Sequence, residues 1–353
     1  MKKNVLLTVL ISCASMIVSA QEKMIYVTSQ TTGGDGFLID HPLLNNKPNA
    51  KPVISHAYNS NSNLKATGVY YSTGDNKWLI YNEDGTPITE GYGFFIYVPS
   101  DSNSFVHTVT SNSTYSPINN GLLNNQPNKN VVISHVYVSG RNTNNIATWY
   151  DSPNWSLYAE NVVTFNTGDS FHVAVSGEAG ITSIRHQADP TNINSDCTYI
   201  DHPALNGKPN SKMVFTHNWG VPSENSNVIN DKVLTAYYSE SNSKWGICNE
   251  DFSDMPIYTT FDVFIESSTM DVNDMEAGSS ISVYPNPIID LVNFNSEVLI
   301  EKIELMDLVG RKVLEKKSSE KSVLLNVKDL PQGVYIALVK TVNNYETIKL
   351  IKK

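Results

Sequence analysis

The sequence predicts an all-β fold: three tandem β-sandwich-like repeats followed by a small C-terminal β-sandwich. Three observations carry that prediction. The stretch Ile39 to His56 (IDHPLLNNKPNAKPVISH) returns without a gap as Ile118 to His135 (INNGLLNNQPNKNVVISH) and Ile200 to His217 (IDHPALNGKPNSKMVFTH), and an internal repeat sets the architecture before any single element does. Around each copy stand short runs rich in β-branched and aromatic residues, separated by Gly, Pro, Asn and Asp, which read as strands and turns. No segment sustains a helical period.

In chain order, residues 1–20 read as a signal peptide. Lys2 and Lys3 precede an apolar run from Val5 to Val18, and Val18-Ser19-Ala20 is a small-x-small cleavage site, so mature protein is expected from Gln21. A retained membrane anchor and a lipoprotein box at Leu10 to Cys13 are the alternatives. The run is short for a span and stays apolar past Cys13, which favours cleavage.

Residues 21–101, 102–181 and 182–266 form the repeats. Each opens on a strand (Met24 to Thr28, Phe105 to Thr110, Ser183 to Gln187) and turns at Asp40-His41-Pro42, Asn119-Asn120-Gly121 or Asp201-His202-Pro203. Proline fixes φ there and stops the strand. The next strand ends at His56, His135 or His217, and an Asn- and Ser-rich loop follows. Two more strands match: one ends in Tyr70-Tyr71, Trp149-Tyr150 or Tyr237-Tyr238, the other begins KWLIYNED, NWSLYAEN or KWGICNED; a last strand at Phe94, Phe171 or Phe261 closes the unit. Units of about 80 residues gain from packing on neighbours, so one compact pseudo-threefold domain is the alternative to tandem sandwiches.

Charge and cysteines narrow the function classes. Gln21 to Ile281 carries 12 basic against 26 acidic residues, whereas Ser282 to Lys353 carries 11 against 9. A body this acidic argues against nucleic acid, which is bound through Lys and Arg, and suits a secreted protein meeting cations or neutral polymers. No other stretch is apolar enough to span a membrane, so none is expected in the mature protein. With Cys13 in the leader, only Cys197 and Cys248 remain, both in repeat 3. In an exported protein they either pair or sit buried. The other repeats lack such a pair, so the repeat fold does not depend on a bridge.

Candidate chemistry comes from residues that recur. His56, His135 and His217 share one position, and Glu83, Glu160 and Glu250 another; together with Asp40 and Asp201 they are metal-ligand types. Period two nevertheless puts each histidine on the apolar face, with Ile54, Ile133 or Phe215 before it and Tyr58, Tyr137 or Trp219 after it. A buried, hydrogen-bonded histidine is therefore the preferred reading, and no metal site, cofactor or catalytic residue is assigned. Asp40-His41 and Asp201-His202 could act as polar ligand contacts, although Asp before a turn proline more simply caps its own backbone. Trp78, Trp155 and Trp245, with Tyr71, Tyr150 and Tyr238, form an aromatic set that could stack on sugar rings or fill a core. A Gly-x-Ser-x-Gly elbow, a phosphate loop and a His-Glu-x-x-His pair are all missing, which leans against an enzyme.

Two resemblances add to this. The Tyr-Ile-Asp-His-Pro and Leu-Asn-Gly-Lys-Pro-Asn elements at Tyr199 to Asn210, with Phe105-Val106-His107-Thr108, resemble an uncharacterised family of repeats in secreted bacterial proteins, over about Met24 to Ile265. It implies no particular activity. Residues 267–280 read as an acidic, then small and polar linker. Beyond it, residues 281–353 show seven strand candidates and read as a small Ig-like sandwich. Tyr284-Pro285-Asn286-Pro287, Asp307-Leu308-Val309-Gly310-Arg311, Gly333-Val334-Tyr335 and Lys349 to Lys353 closely resemble the type A C-terminal sorting domain of the type IX secretion system of Bacteroidota. The resemblance implies recognition by the outer-membrane translocon after periplasmic transit, a secreted or surface location, and in many members removal of the domain.

The expected function is multivalent binding or adhesion to an extracellular polymer, glycan before protein, because several linked copies favour binding through effective concentration. A polysaccharide-acting hydrolase, with turn carboxylates as acid and nucleophile, and a passive surface-layer scaffold are the alternatives.

Overall fold

The computed structural model describes residues 22–30, 34–138, 140–220, 227–266, 281–307, 311–341 and 345–353. The signal peptide, the linker and Gly310 lie outside them. Repeat 1 supplies β1 (Met24–Thr28), β2 (Gly36–Leu38), β3 (Val53–Ala57), β4 (Thr67–Ser72), β5 (Lys77–Asn82) and β6 (Gly93–Tyr97). Repeat 2 supplies β7 (Ser104–Thr108), β8 (Tyr115–Ile118), β9 (Val131–Val136), β10 (Ile146–Asp151), β11 (Asn154–Ala159) and β12 (Ser170–Val175). Repeat 3 supplies β13 (Ile181–Gln187), β14 (Ile193–Asn194), β15 (Cys197–Tyr199), β16 (Met213–Gly220), β17 (Leu234–Ser239), β18 (Lys244–Asn249) and β19 (Thr260–Glu266).

The repeated stretch is built by its own side chains. Asn46, Asn125 and Gly207 adopt φ of 59°, 59° and 69°, a left-handed conformation that Asn and Gly tolerate best, which explains why only these two residues occupy the position. The preceding turn is laced by one asparagine. Asn45 Nδ2 donates to Asp40 Oδ1 (2.7 Å) while its Oδ1 accepts from His41 N (3.2 Å). Asn206 repeats this with Asp201 and His202, and Asn124 with Asn119 and Asn120.

Each repeat packs as a sandwich. In repeat 1, Ile25, Ile54, Phe94 and Ile96 of one layer close over Phe37, Val69, Trp78 and Ile80 of the other. The all-β, sandwich-like repeats are therefore as the sequence indicates. The hydrogen bonding adds that every sheet is shared between two repeats: β1-β6-β3 continues into β17-β18-β15-β14, β13-β19-β16 into β10-β11-β8, and β7-β12-β9 into β4-β5-β2. The joins are short parallel ladders, Gly68↔His135, Thr148↔Asn218 and Thr235↔His56. Repeat 1 joins repeat 2, repeat 2 joins repeat 3, and repeat 3 joins repeat 1, so the body closes into a pseudo-threefold ring.

Three hydroxyls tie the ring at its axis. Ser134 Oγ accepts from Ile54 N (2.8 Å), Thr216 Oγ1 from Ile133 N (3.0 Å) and Ser55 Oγ from Phe215 N (2.9 Å). Each bond crosses from one repeat to another and satisfies a buried amide that would otherwise be costly. The tripeptides Ile54-Ser55-His56, Ile133-Ser134-His135 and Phe215-Thr216-His217 thus meet at the axis.

The C-terminal unit is described by itself. It comprises β20 (Ile281–Tyr284), β21 (Leu291–Met306), β22 (Lys312–Asn326), β23 (Gly333–Thr341) and β24 (Tyr345–Lys352) around Phe294, Ile303, Val323, Ala337 and Leu350. Among the described residues five strands stand where seven were expected, because β21 and β22 run through bulges between Asn295 and Lys302 that the sequence pattern reads as breaks. The sorting motif is structural here. Asn286 bonds Lys349 O (2.8 Å) and Ile351 N (2.9 Å), Asp307 Oδ1 accepts from Arg311 N (2.9 Å), and Tyr335 OH donates to Pro331 O (2.8 Å). Tyr284 is exposed, its hydroxyl accepting from Asn293 and Asn295.

Candidate functional site

Every seam between repeats carries the same buried polar set. Glu83 Oε1 lies 2.5 Å from His135 Nδ1, Glu160 Oε1 lies 2.7 Å from His217 Nδ1, and Glu250 Oε2 lies 3.2 Å from His56 Nδ1. In all three the glutamate belongs to one repeat and the histidine to its neighbour. The same carboxylates accept the amides of Asn142 (2.8 Å), Asn230 (2.8 Å) and Asn63 (3.0 Å). His135 makes a hydrogen bond with its glutamate. At His56 and His217 the alignment falls short of one, so those contacts are electrostatic. Each ring also packs on a phenylalanine of its own repeat, Phe94, Phe171 or Phe261. The histidines are thus buried as the strand period implies, with a partner that period cannot name.

Repeat 1 adds a tyrosine to its seam. Tyr81 OH donates to Glu83 Oε1 (2.8 Å) across Gly68, and burial, then the carboxylate, push its hydroxyl pKa up. A Cβ on Gly68 would lie 2.2 Å from Glu83 Oε1 and 2.7 Å from Tyr81 OH. Gly68→Ala is therefore expected to destabilise the body by about 1–3 kcal/mol, an overpacking cost. Ala147 and Thr235 stand at this position in the other repeats, so an unchanged denaturation midpoint for Gly68→Ala would show that the Tyr81 network yields freely.

The aromatic residues divide differently from the expected platform. Trp78, Trp155 and Trp245 are buried, at 3%, 0% and 6% exposure, and donate Nε1–H to the carbonyls of Lys47, Gln126 and Lys208. Tyr71, Tyr150 and Tyr238 pack edge-on against them. Of the two readings of that set, the tryptophans take the core one and not the ligand surface: alternation turns them inward, and a backbone carbonyl satisfies each indole. The outward residue of each pair is its first member. Tyr70 meets Tyr137 at 5.8 Å, Tyr237 meets Tyr58 at 5.8 Å and Trp149 meets Trp219 at 5.3 Å, with rings 82–90° apart. Tyr58, Tyr70, Tyr137 and Tyr237 are exposed, and each pair straddles a seam. Their signal in the sequence is an aromatic two residues after every repeated histidine.

The Asp-His turns are occupied by local structure. Asp40 pairs with Lys77 (2.7 Å) and Asp201 with Lys244 (2.8 Å), and the lysine hydrogen bond holds each carboxyl below its ordinary pKa. His41 Nδ1 and His202 Nδ1 accept from Leu43 N and Ala204 N, the task Asn120 Oδ1 performs for Leu122 N. Repeat 2 replaces both charged partners at once, with Asn119 and Asn154. Cys197 and Cys248 face each other on β15 and β18 and form a disulfide. They and Asp196 are the metal-type cluster among the described residues, but the bridge removes both thiolates. The three seam histidines do not come within shared metal-binding reach.

At the axis the three Ile/Phe-Ser/Thr-His tripeptides line a pocket of ≈ 150 Å³, joined at its rim by Asn142, Asn144, Asn145 and Lys232. His217 is 2% exposed there, and its Nε2 has no hydrogen-bond partner among the described residues.

Residues 68–175 and 164–265 match the Domain of unknown function (DUF7452). The chain belongs to this family. Both DUF7452 matches cross a seam, the first running from β4 to β12 and the second through β19. Residues 282–353 match the Secretion system C-terminal sorting domain, which makes the protein a type IX secretion substrate, secreted or held at the outer-membrane surface. No described helix is long and apolar enough to cross a membrane. Ulvan lyase NLR42 of Nonlabens ulvanivorans is 34% identical over 91 residues, 25% of this chain; the chain spans 17% of that enzyme's length. PorZ, a surface component of the type IX secretion system of Porphyromonas gingivalis, aligns at 14% identity over 90% of this chain and 38% of its own, with a TM-score of 0.19. The N-terminal four Ig domains of Dscam1 isoform 9.44 align at 10% identity over 94% and 99%, with a TM-score of 0.15. Both scores lie below that of a shared fold.

Proposed function

We propose that the body is a multivalent polysaccharide-binding module displayed at the cell surface, and that the seam pairs Tyr58/Tyr237, Tyr70/Tyr137 and Trp149/Trp219 are its sugar platforms. One observation carries this: pseudo-equivalent aromatic pairs set at nearly a right angle stand at all three seams, Tyr58/Tyr237 and Tyr70/Tyr137 exposed and Trp149/Trp219 half-buried. Large exposed aromatics offer a π face to the C–H face of a pyranose, and nothing in the fold requires them outside. Three linked sites raise avidity by about 10²–10⁴ over one, which suits a protein exported to meet a polymer. The acidic body favours neutral chains. Relatedness to part of an ulvan lyase accords with a carbohydrate setting, while two of the turn carboxylates, Asp40 and Asp201, pair with Lys77 and Lys244.

The test is co-sedimentation of the mature chain with insoluble polysaccharides. Tyr70→Ala, Trp149→Ala and Tyr237→Ala together are expected to abolish retention, whereas any one alone weakens it partially. A folded triple variant that sediments like the unaltered chain rules the platforms out.

A further inference from the structure

We infer that the platform at the repeat 3–repeat 1 seam continues across the outer face of repeat 3 into a cleft at the sheet edge, so that this one of the three sites takes a run of linked sugar residues. This rests on the polysaccharide-binding reading and deepens it. Tyr237 of the seam pair stands opposite Gly246 on β18, and Gly246 stands opposite Tyr199 on β15. Residues directly opposite one another in adjacent strands share a face. Two strand spacings place the tyrosines about 10 Å apart on the outer side. Gly246 makes them one surface: a Cβ there would lie 3.1 Å from Tyr199 Cδ1, so the half-buried Tyr199 ring leans over the strand that separates it from Tyr237. Leu79 and Ser156 hold the glycine position in the other repeats, and Leu38 and Pro117 that of Tyr199. Neither of those repeats has this extension.

Beyond Tyr199 a cleft opens between the β13–β14 connection and the turn from β17 to β18. Repeat 3 is long here, with residues 189–196 where the others have 30–35 and 110–114, and the added length forms β14 against β15. The cleft volume of ≈ 590 Å³ falls among those of ligand sites, about 300–1,000 Å³. Its lining is hydrophilic. Asn194 and Asn242 are exposed, and each amide offers donors and an acceptor together, the combination that sugar hydroxyls need. Asp201 and Lys244 enter as an ion pair at 2.8 Å, so they present an acceptor and a donor whose charges cancel. The buried His186 has its Nε2 bonded to Thr198 Oγ1 (2.7 Å) and is not needed for contact. An aromatic strip that runs into exposed amides and a paired charge suits a hydroxylated chain laid from the seam to the sheet edge.

The experiment is isothermal titration of the mature chain with the oligosaccharides of cellulose, xylan, mannan and laminarin, from the monosaccharide to the hexasaccharide. In at least one series affinity is expected to rise by about tenfold or more with length, the gain of a further aromatic contact, at one site per chain. Tyr237→Ala, Tyr199→Leu, which installs the repeat 1 residue, and Asn194→Ala with Asn242→Ala should each remove that gain. Leu38→Ala, at the matching place in repeat 1, should leave it unchanged. The inference is overturned if affinity does not grow with length, if three equivalent length-dependent sites are found, if Tyr199→Leu or the paired asparagine variant binds as before, or if binding depends on Tyr199 but not on Tyr237. Length dependence and stoichiometry are read on the unaltered chain, so they decide even where a variant fails to fold. Polymer retention that the triple platform variant loses, without any length-dependent site, removes the extension and keeps the platforms; retention on no polymer, or retention that the triple variant keeps, removes both.

Discussion

Glu83→Ala is expected to destabilise the body by about 3–5 kcal/mol, the cost of stripping one partner from a buried charged network. The carboxylate is 1% exposed and accepts from His135 Nδ1 (2.5 Å), Tyr81 OH (2.8 Å) and Asn142 N (2.8 Å). Alanine leaves three polar groups of the repeat 1–repeat 2 seam without an acceptor, and each buried unpaired group costs about 1–3 kcal/mol. Glu83→Gln retains the shape and one acceptor oxygen, so its loss should be about half as large. All five tryptophans lie between Trp78 and Trp245, so urea denaturation followed by their fluorescence reports on the body and not on the sorting domain. A loss below about 1 kcal/mol for Glu83→Ala would mean that water reaches the seam, in which case the pair is no more than a surface ion pair.

Acid should weaken the body before the carboxylates with lowered pKa, such as Asp84, protonate. Burial pushes His172 down to about 4, opposed by the Pro52 carbonyl on its Nδ1, and pushes His186 down to about 4, opposed by Asp189. Both histidines are neutral in the fold, whereas the unfolded chain takes up protons near pH 6.5. Between those values the unfolded state holds more protons, so stability is complete above about pH 6.5 and falls as pH drops towards 4. The shift of each group corresponds to about 3 kcal/mol at pH 4. Carboxylates with lowered pKa, such as Asp84 at about 2, lose their contribution only at lower pH. Repeat 1 suggests the controls. Phe95 stands where repeat 2 has His172, and Val27 where repeat 3 has His186. His172→Phe with His186→Val should therefore flatten the urea midpoint between pH 6.5 and 4.5, and an unaltered slope in that variant would assign the loss to other groups.

Several features were legible in the residues because they are local. The turn at Ile39 to His56 is encoded in its own side chains: Asn46, Asn125 and Gly207 take a backbone conformation open to few residues, and Asn45, Asn124 and Asn206 lace the turn from within. Strand period placed His56, His135 and His217 inside, and the motif residues Asn286, Asp307 and Tyr335 identified the sorting domain. The histidine partners were not legible. Glu83, Glu160 and Glu250 reach them from another repeat, at separations that no periodicity reports. The aromatic set left two readings open for a related reason. In each repeat two neighbouring aromatics point to opposite faces, and only the layer packed above decides which face is core; Trp78, Trp155 and Trp245 were covered, leaving Tyr70 and Tyr237 exposed and Trp149 half-buried. By itself the sequence determined an all-β chain of three repeats with an export tail, since hydrophobic alternation and turn chemistry act within a few residues. The tertiary structure alone decided that the sheets are shared, that the repeats close around an axis and that the closure creates the pocket, because parallel pairing between distant strands depends on which layers meet in space.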